Sequence, residues 1–247
     1  MRAMSGIRLF VEDALPGAGL VTLSADQSHY LGNVMRARIG DSVLLFNGRD
    51  GEWEASVAEI AKKAVTLSLK SRTREQSASP DLWLCFAPIK RARLDYIAEK
   101  ATELGVSHIV PVMTRRTNAG RVNTDRLHAN AVEAAEQCER LDVPTHTEPV
   151  KLEKLLADWP EGRRLMFCDE DLSGKSAVEA LREAASEATG PWGILIGPEG
   201  GFDDAERAMI RRMPQTVTVS LGPRILRADT AAMAAVALWQ AAIGDWK

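Results

Sequence analysis

Two glycine-rich turns near the C-terminus limit what this chain can fold into more than any other feature. The first turn, residues 197–202, follows residues 194–196, which are all apolar, as expected for a strand that is covered on both faces. The second turn begins at Leu221, at the end of the alternating run 216–221. The sequence therefore predicts two buried strands, each followed by a tight turn.

Both turns lead into helix-forming sequence. Asp203 with Glu206 three residues later has the form of a capping box, and Asp229 or Thr230 can cap the alanine-rich segment near the end of the chain. Strand-to-helix turns of this kind, at the carboxyl ends of parallel strands, form the crevice in which open α/β sheets bind ligands. Four glycines in the turns lack a Cβ and would let a ligand approach the backbone closely: Gly197, Gly200, Gly201 and Gly222.

The composition is that of an ordinary globular protein, with 45% hydrophobic and 26% charged residues among 247. That length suffices for one large domain or two modest ones. The sequence has no signal-peptide pattern and no apolar run long enough to span a bilayer, so we expect a cytoplasmic protein without a membrane partner. The three cysteines and four histidines lack the spacing of metal ligands, which predicts reduced thiols and no metal site.

The net charge of −3 is unevenly distributed along the chain. Residues 1–130 contain 18 Lys and Arg against 14 Asp and Glu, a net +4, whereas residues 131–247 contain 13 against 20, a net −7. The basic excess therefore lies in the first half and the glycine-rich turns lie in the acidic half. This division suits a protein that holds a polyanion with one part and a small molecule with the other.

The first part of the chain has a mostly β pattern, and a small β-barrel would close such a set of strands. The predicted strands are residues 8–11, 20–24, 42–46, 52–60 and 64–70. Residues 26–36 are amphipathic and predict a helix with Tyr30, Val34 and Leu31 facing inward. Residues 72–80 are polar and end in proline, which predicts a linker.

After the linker, strand and helix patterns alternate, which predicts an α/β domain with a parallel sheet. The predicted strands are residues 82–87, 108–112, 165–168, 193–197 and 216–221. The predicted helices are residues 95–104, 125–140, 152–159, 176–188, 203–212 and 230–243. The last helix is apolar on all sides, which is typical of a helix buried in a core or in a subunit interface.

Several common enzyme classes are disfavoured by missing motifs. Residues 173–176 resemble the end of a phosphate-binding loop, but that motif needs glycine where Asp169 stands, and the acidic residues 169–171 would repel a phosphate. No Gly-x-Gly-x-x-Gly motif opens a first βαβ unit, and no Gly-x-Ser-x-Gly elbow occurs. The sequence therefore disfavours a dinucleotide-dependent enzyme and a serine hydrolase.

Two motifs carry a resemblance to a known family. Ile-Gly-Pro-Glu-Gly-Gly (196–201), followed by Leu-Gly-x-Arg-Ile-Leu-Arg-x-x-Thr-Ala (221–231), is similar to methyltransferases of the SPOUT superfamily, and within it to the 16S ribosomal RNA uridine N3-methyltransferases of the RsmE type. The resemblance covers essentially the whole chain and includes residues 8–10, 100–105 and 136–140. The family usually has Thr-Glu where this chain has Ala228-Asp229, and Gly or Ser where it has Glu139.

The resemblance implies a fold and an activity. It implies a PUA-like β-barrel that binds RNA (1–74), followed by a SPOUT domain (75–247) with a deep trefoil knot, in which the segment after Leu221 threads beneath the loop of residues 197–201. It also implies a homodimer that uses S-adenosylmethionine to methylate N3 of a uridine in 16S rRNA within the small ribosomal subunit. A non-catalytic RNA-binding or ribosome-assembly protein of the same fold remains the alternative.

The resemblance also implies site residues. The cofactor would be bound by Phe167, Ile196, Gly197, Glu199, Gly200, Leu221, Gly222, Ile225 and Leu226. The catalytic candidates are Arg227 and Arg140, which can hold a uridine carbonyl or a phosphate, and Asp229, which with Glu199 is an available carboxylate. RNA phosphates would be contacted by Arg8, Arg36 and Arg38 and, in a loop rich in Thr, Asn and Gly, by Arg115, Arg116 and Arg121.

Overall fold

The fold is that of a computed structural model, which describes residues 6–15, 17–62, 64–89, 91–118, 120–171, 174–187 and 190–246. Two compact units make up the chain. The first comprises Met1–Ala78 and Ala135–Val143, and the second comprises Ser79–Ala134 and Pro144–Lys247. Ser173 of the rejected phosphate-loop motif and Ala188 at a predicted helix end lie outside the described residues.

The first unit contains a five-stranded sheet. Its elements are β1 (Ile7–Phe10), β2 (Gly19–Thr22), α1 (Ala25–His29), a π-helical turn (Tyr30–Val34), β3 (Ser42–Phe46), β4 (Glu52–Ile60) and β5 (Val65–Arg74). The strand order is β1-β3-β4-β5-β2; β1 and β3 are parallel and the other pairs are antiparallel. Alternate residues such as Val43, Leu45, Val57 and Leu67 form the core of this unit.

Residues 135–143 belong to the first unit although they are far from it in sequence. The backbone N–H of Phe10 donates to Oε1 of Glu136 at 2.9 Å. Ala135 and Leu141 pack with Phe46 in a small buried cluster. The first unit is therefore discontinuous along the chain.

Two predictions for this unit were wrong. In the segment 26–36, Leu31 is fully buried, but Tyr30 and Val34 are 41% and 59% exposed. The reason is the π-helical turn, whose wider spacing breaks the 3.6-residue period on which the prediction rested. The predicted linker also begins too early, because β5 continues to Arg74 in register with Glu52 of β4.

Among its described residues, the second unit contains seven strands paired in one path and six helices, of which α3 ends in residues that belong to the first unit. Its elements are β6 (Leu82–Phe86), α2 (Arg91–Glu103), β7 (His108–Met113), α3 (Thr124–Gln137), β8 (Thr145–His146), β9 (Val150–Lys151), α4 (Leu152–Ala157), β10 (Arg164–Cys168), β11 (Lys175–Ser176), α5 (Ala177–Glu187), β12 (Trp192–Ile196), α6 (Asp204–Arg211), β13 (Thr216–Ser220) and α7 (Ala228–Ala242). The order is β11-β13-β10-β12-β6-β7-β8, β9 pairs with β7, and the pairs are parallel. The predicted parallel α/β sheet is confirmed.

Helices cover both faces of this sheet, which explains why its central strands are apolar throughout. One face packs against α2, α5 and α7, and the other packs against α4 and α6. Successive residues alternate between the faces, so that Cys168 belongs to the first core and Phe167 to the second. None of the helices in the described part of the chain combines the length and apolarity that crossing a bilayer requires.

Three adjacent parallel strands position the glycine-rich turns. β10 lies between β12 and β13, so the loops that follow β12 and β13 emerge at the same edge of the sheet, one on each side of the end of β10. This edge is the carboxyl end of the strands, where open α/β sheets bind ligands.

The start of α7 differs from the prediction. The helix begins at Ala228, and its N-cap is Arg227, which has an extended backbone and no side-chain capping bond. Asp229 lies inside the first turn, where its Oδ1 accepts from the backbone N–H of Thr230 at 2.9 Å. Neither Asp229 nor Thr230 is the cap, because the helix starts before both of them. By contrast, the capping box of Asp203 and Glu206 is confirmed at the start of α6.

Candidate functional site

A small cleft lies at the carboxyl edge of the second unit's sheet, between the end of β10 and the loop after β13. Its enclosed volume is about 60 Å³. The cleft is lined by Cys168, Asp169, Glu170, Leu221, Gly222, Arg224, Ile225, Leu226 and Ala231. Ile225 is 87% exposed although it is a large aliphatic residue. With Leu221 and Leu226 beside it, Ile225 gives the cleft an apolar side that a ligand can cover.

Four of the predicted cofactor residues line this cleft, namely Leu221, Gly222, Ile225 and Leu226. Gly222 has a φ of +108°, which favours glycine, and a Cβ added there would meet no atom within 4 Å. The backbone of Gly222 therefore borders open space at the cleft. This is the position at which a close approach of a ligand to the backbone is sterically possible.

The glycines of the first turn serve the fold. A Cβ on Gly197 would lie 2.6 Å from Cε2 of Phe202, and one on Gly201 would lie 2.1 Å from Oε1 of Glu170. Gly200 has ordinary contact distances, with its nearest neighbour, Cβ of Arg116, at 3.4 Å. Packing therefore gives Gly197 and Gly201 a reason to be glycine, and contact of this turn's backbone with a ligand stays a prediction.

The end of β10 contributes carboxylates to the cleft. Asp169 is 3% exposed and pairs with Nε of Arg207 at 3.0 Å and with Nη2 of Arg211 at 2.7 Å. Oε1 of Glu170 accepts from the backbone N–H of Phe202 at 3.1 Å and also contacts Arg207. The acidic run that argued against phosphate binding therefore anchors α6 and the first turn to the strand end.

Phe167 and Ile196 do not line the cleft. Phe167 is fully buried and packs edge-on against Phe202, with ring centroids 5.2 Å apart. Its neighbour Cys168, on the opposite face of the strand, lines the cleft, and burial raises the pKa of the Cys168 thiol, which keeps it neutral. The carbonyl of Ile196 accepts from the backbone N–H of Ala87 at 3.0 Å.

Two arginines that we predicted to contact RNA hold the first turn. Nη1 of Arg116 donates to the carbonyl of Gly200 at 2.9 Å. Arg115 donates from Nη1 to Oδ2 of Asp203 at 2.7 Å and from its backbone N–H to Oε1 of Glu206 at 2.8 Å. The backbone N–H of Glu206 is the main reason why the pKa of Asp203 is lowered, and Arg115 adds to it. Both arginines are exposed.

Arg93 of α2 joins the two turns, and no motif in the sequence singled it out. Its Nη1 lies 3.3 Å from Oε1 of Glu199 in the first turn, and its Nε lies 3.7 Å from Oδ2 of Asp229 in α7. We predicted that α2 would start at Asp95, two residues too late to include Arg93. A predicted helix that began closer to the end of β6 would have included Arg93 and so placed a cation at this sheet edge.

The two arginines predicted to be catalytic lie in different units. Arg227 is exposed at the start of α7, beside the residues that line the cleft, and its carbonyl accepts from the backbone N–H of Ala231 at 2.7 Å. Arg140 belongs to the first unit, where its Nε lies 2.9 Å from Oδ1 of Asp142 and its side chain is 7% exposed.

The arginines of the first unit differ in exposure. Arg8 is 8% exposed; its Nε donates to Oε2 of Glu52 at 2.7 Å, and its guanidinium lies over the ring of Phe46 at 3.7 Å. Burial lowers the pKa of Arg8. A phosphate cannot reach a guanidinium so enclosed, so the structure argues against an RNA contact there. Arg36 and Arg38 are exposed.

Comparisons with known proteins identify relatives of both parts of the chain. A family model described as an RNA methyltransferase domain matches residues 76–240, and one described as an RNA methyltransferase PUA domain matches residues 23–70. The first match alone covers more than half of the chain.

Similar proteins extend over nearly the full length. The protein named ribosomal RNA small subunit methyltransferase E of Rickettsia conorii is 32% identical over 231 residues, which are 93% of each chain. The protein of the same name from Synechocystis is 33% identical over 225 residues, 88% of this chain and 71% of that one. A crystal structure of a methyltransferase from Legionella pneumophila with bound SAM has a TM-score of 0.84 at 28% identity, covering 98% of this chain and 100% of that one.

Proposed function

We propose that this chain, which belongs to the RNA methyltransferase family, transfers the methyl group of S-adenosylmethionine to N3 of a uridine in 16S ribosomal RNA. The main observation in support of this proposal is the cleft between the ends of β10 and β13, with open space at Gly222 and the exposed side chain of Ile225. The names of the relatives support the ribosomal substrate and the cofactor. The uridine N3 position follows from the motif resemblance.

The residues at the cleft fit the cofactor. An adenosine group needs an apolar surface and a backbone that it can approach, and Leu221, Ile225 and Leu226 with the bare backbone of Gly222 supply both. When bound, S-adenosylmethionine supplies an electrophilic methyl group on a positively charged sulfur.

The uracil ring must lose the proton of N3 as the new carbon–nitrogen bond forms there. Asp229 and Glu199 are the carboxylates of the two turns, and Arg93 contacts both of them. A carboxylate beside the uracil ring can accept this proton as a general base. Arg93 contacts both candidate bases and so ties them together at the sheet edge.

Arg227 has a different task, because an arginine keeps its proton and cannot act as a base. Its exposed guanidinium stands at the N-cap of α7, two residues from Asp229. From there it can donate to a uracil carbonyl oxygen as that oxygen gains negative charge. A preorganised donor of this kind stabilises the transition state more than the bound substrate.

The finer architecture is also part of this proposal. We propose that residues 1–74 form a PUA-like barrel that binds RNA and that residues 75–247 form the methyltransferase domain, with a trefoil knot. The knot is part of this proposal through the family resemblance. Arg36, Arg38 and Arg121 are exposed and suit phosphate contacts.

The assembly is proposed from the family resemblance. The chain would act in the cytoplasm as a homodimer on the assembled small ribosomal subunit. The partly exposed apolar residues of α7, such as Met233 and Leu238, support an interface there. Sedimentation of the purified protein at micromolar concentration tests this, since a stable and active monomer contradicts it.

The activity is tested by incubating small subunits from cells that lack the protein with the purified enzyme and S-adenosylmethionine. Methylation at N3 blocks Watson–Crick pairing, so reverse transcriptase should stop at one uridine only after incubation. Calorimetry with S-adenosylmethionine distinguishes the alternative, since a non-catalytic RNA-binding protein of the same fold would give neither heat of cofactor binding nor a stop.

A further inference from the structure

A second, larger cleft lies in the same unit as the cofactor cleft. Its volume is about 530 Å³, and it lies between the start of α2 and residues 118 and 120–126, at the beginning of α3. Cavities of roughly 300–1,000 Å³ are typical of small-molecule sites. The arrangement of charges in this cleft indicates what kind of group it can hold.

One wall of this cleft is apolar and fixed. Ile89, Leu94 and Val122 line it, and each is at most 8% exposed because each belongs to the main core of the unit. A rigid apolar wall next to open volume suits the face of a flat, weakly polar ring. It offers nothing to a phosphate.

The rim of the cleft carries amides. Asn118 is exposed at the rim, and Asn123 uses its Oδ1 to accept from the backbone N–H of Arg126 at 3.0 Å. The amide nitrogen of Asn123 therefore keeps two donors for another partner. Amides that both donate and accept can read the edge of an unpaired base.

The charges of the cleft nearly cancel. Arg126 is engaged with Asp95 through two bonds of 2.7 and 2.6 Å, and Asp125 and Glu148 also line the cleft. Arg121 is the one lining cation for which no ion-pair partner occurs among the residues that the structure describes. Two arginines against three carboxylates give a formal charge of −1, which favours a neutral group over a phosphate inside the cleft. Arg121 is then the cation that can meet a phosphate at its edge.

The cleft is adjacent to the proposed methyl-transfer site. Arg93, which contacts Glu199 and Asp229, directly precedes Leu94 and Asp95, which line the cleft. The first turns of α2 thus border the cofactor turns and this cleft at the same time. A strand of RNA with its target base at the cofactor can therefore reach the cleft with a nearby nucleotide.

We infer that this cleft binds an unpaired nucleobase of the RNA substrate, at a nucleotide next to the methylated uridine. The inference rests on the proposed function for its ligand class. It assigns to the α2–α3 cleft the reading of a base, and to Arg121 the adjoining phosphate.

Gly120 offers a clean way to block the cleft. It lines the cleft, its φ lies outside the left-handed range, and a Cβ added there would meet no atom within 4 Å. Gly120→Leu should therefore fill the volume without strain and without an aromatic ring that could itself stack on a base. Gly190 is also exposed, open and outside the left-handed range, but lies away from the cleft, so Gly190→Leu is the matched control.

The experiment compares two fluorescein-labelled RNAs of equal charge by anisotropy at low salt. One is a single-stranded dodecamer of mixed sequence, and the other is its fully abasic counterpart. Wild type and Gly190→Leu should prefer the base-containing RNA. Gly120→Leu should lose on the order of tenfold of that preference, as expected when one base loses a hydrogen bond and its apolar contact. Its affinity for the abasic RNA should not change.

Other results overturn the inference. Equal preference in the wild type and Gly120→Leu, or an equal loss for both RNAs, would show that the cleft does not read a base. If the wild type binds neither RNA, the inference that this cleft holds a base of an RNA is also overturned. The readout needs no methyl transfer. A wild type that fails to methylate small subunits would disprove the proposed function, while the ratio of the two RNA affinities would still decide whether the cleft reads a base.

Discussion

Gly197→Ala should destabilise the protein through a single contact. The new Cβ would lie 2.6 Å from Cε2 and 3.0 Å from Cδ2 of Phe202, well inside van der Waals contact. The ring cannot turn away easily, since Phe202 is fully buried and packs against Phe167. Overpacking of this kind costs about 1–3 kcal/mol. At about 2–4 °C per kcal/mol for a chain of this size class, the thermal midpoint should fall by several degrees.

Phe202→Leu provides the test of this reasoning. A smaller residue at position 202 removes the ring atoms that the new Cβ would strike, so the double variant should recover part of the stability. We expect the two changes to be non-additive by about 0.5–3 kcal/mol, as is usual for residues in contact. Urea unfolding, followed by circular dichroism for the four proteins, measures this coupling.

The control for this cycle is Gly222→Ala, because a Cβ there meets no atom within 4 Å and only the φ of +108° is strained. Gly222→Ala should show no coupling to Phe202→Leu. Its main effect should be weaker binding of S-adenosylmethionine in calorimetry, since Gly222 borders the cleft. Strict additivity of Gly197→Ala and Phe202→Leu would refute the steric explanation.

Four further predictions concern charged groups. Arg93→Met should lower turnover at saturating substrates because it removes the cation that contacts Glu199 and Asp229, and Arg93→Lys should keep part of the turnover. Arg182→Ala, on an exposed face of α5, is the control and should leave turnover unchanged. Arg227→Ala should lower turnover on the order of 100-fold in a single-turnover assay, and wild-type turnover would contradict its role. Arg121→Ala should weaken RNA binding and reduce the slope of log affinity against log salt by about one unit, with little change in turnover. Burial, helped by nearby Arg163, lowers the pKa of His108 from its ordinary 6.5. The free energy of unfolding should therefore keep its full value above pH 6.5 and fall as the pH drops towards the folded pKa. In urea unfolding at several pH values, His108→Gln should show a smaller decline.

The sequence predicted the elements that depend on local patterns. The bounds of β3 and β4 were predicted correctly, because alternating apolar residues and flanking turns define them. The capping box at Asp203 is equally local, since it depends on two side chains three residues apart. The second turn follows an alternating strand, and four of its predicted residues line the cleft.

Contacts between distant segments could not be predicted in this way. Arg8 is of a residue type that commonly binds phosphate at a protein surface. In the structure, Glu52 and the carbonyl of Ala135 accept hydrogen bonds from its guanidinium and enclose it. The pairing of Arg93 with Glu199 joins residues that are more than 100 positions apart. Neither pairing leaves a period or a motif, because each depends on which strands become neighbours in the sheets.

The discontinuity of the first unit has a consequence for the order of events during synthesis. A growing chain emerges from its N-terminus, so β1–β5 are complete long before residues 135–143 have been made. Until then the backbone N–H of Phe10 lacks Glu136, and Nη1 of Arg8 lacks the carbonyl of Ala135. At about 5–20 residues per second, the delay is roughly 3–13 s. The nascent N-terminal unit must persist half-assembled over that interval, while the first strands of the second unit are already leaving the ribosome.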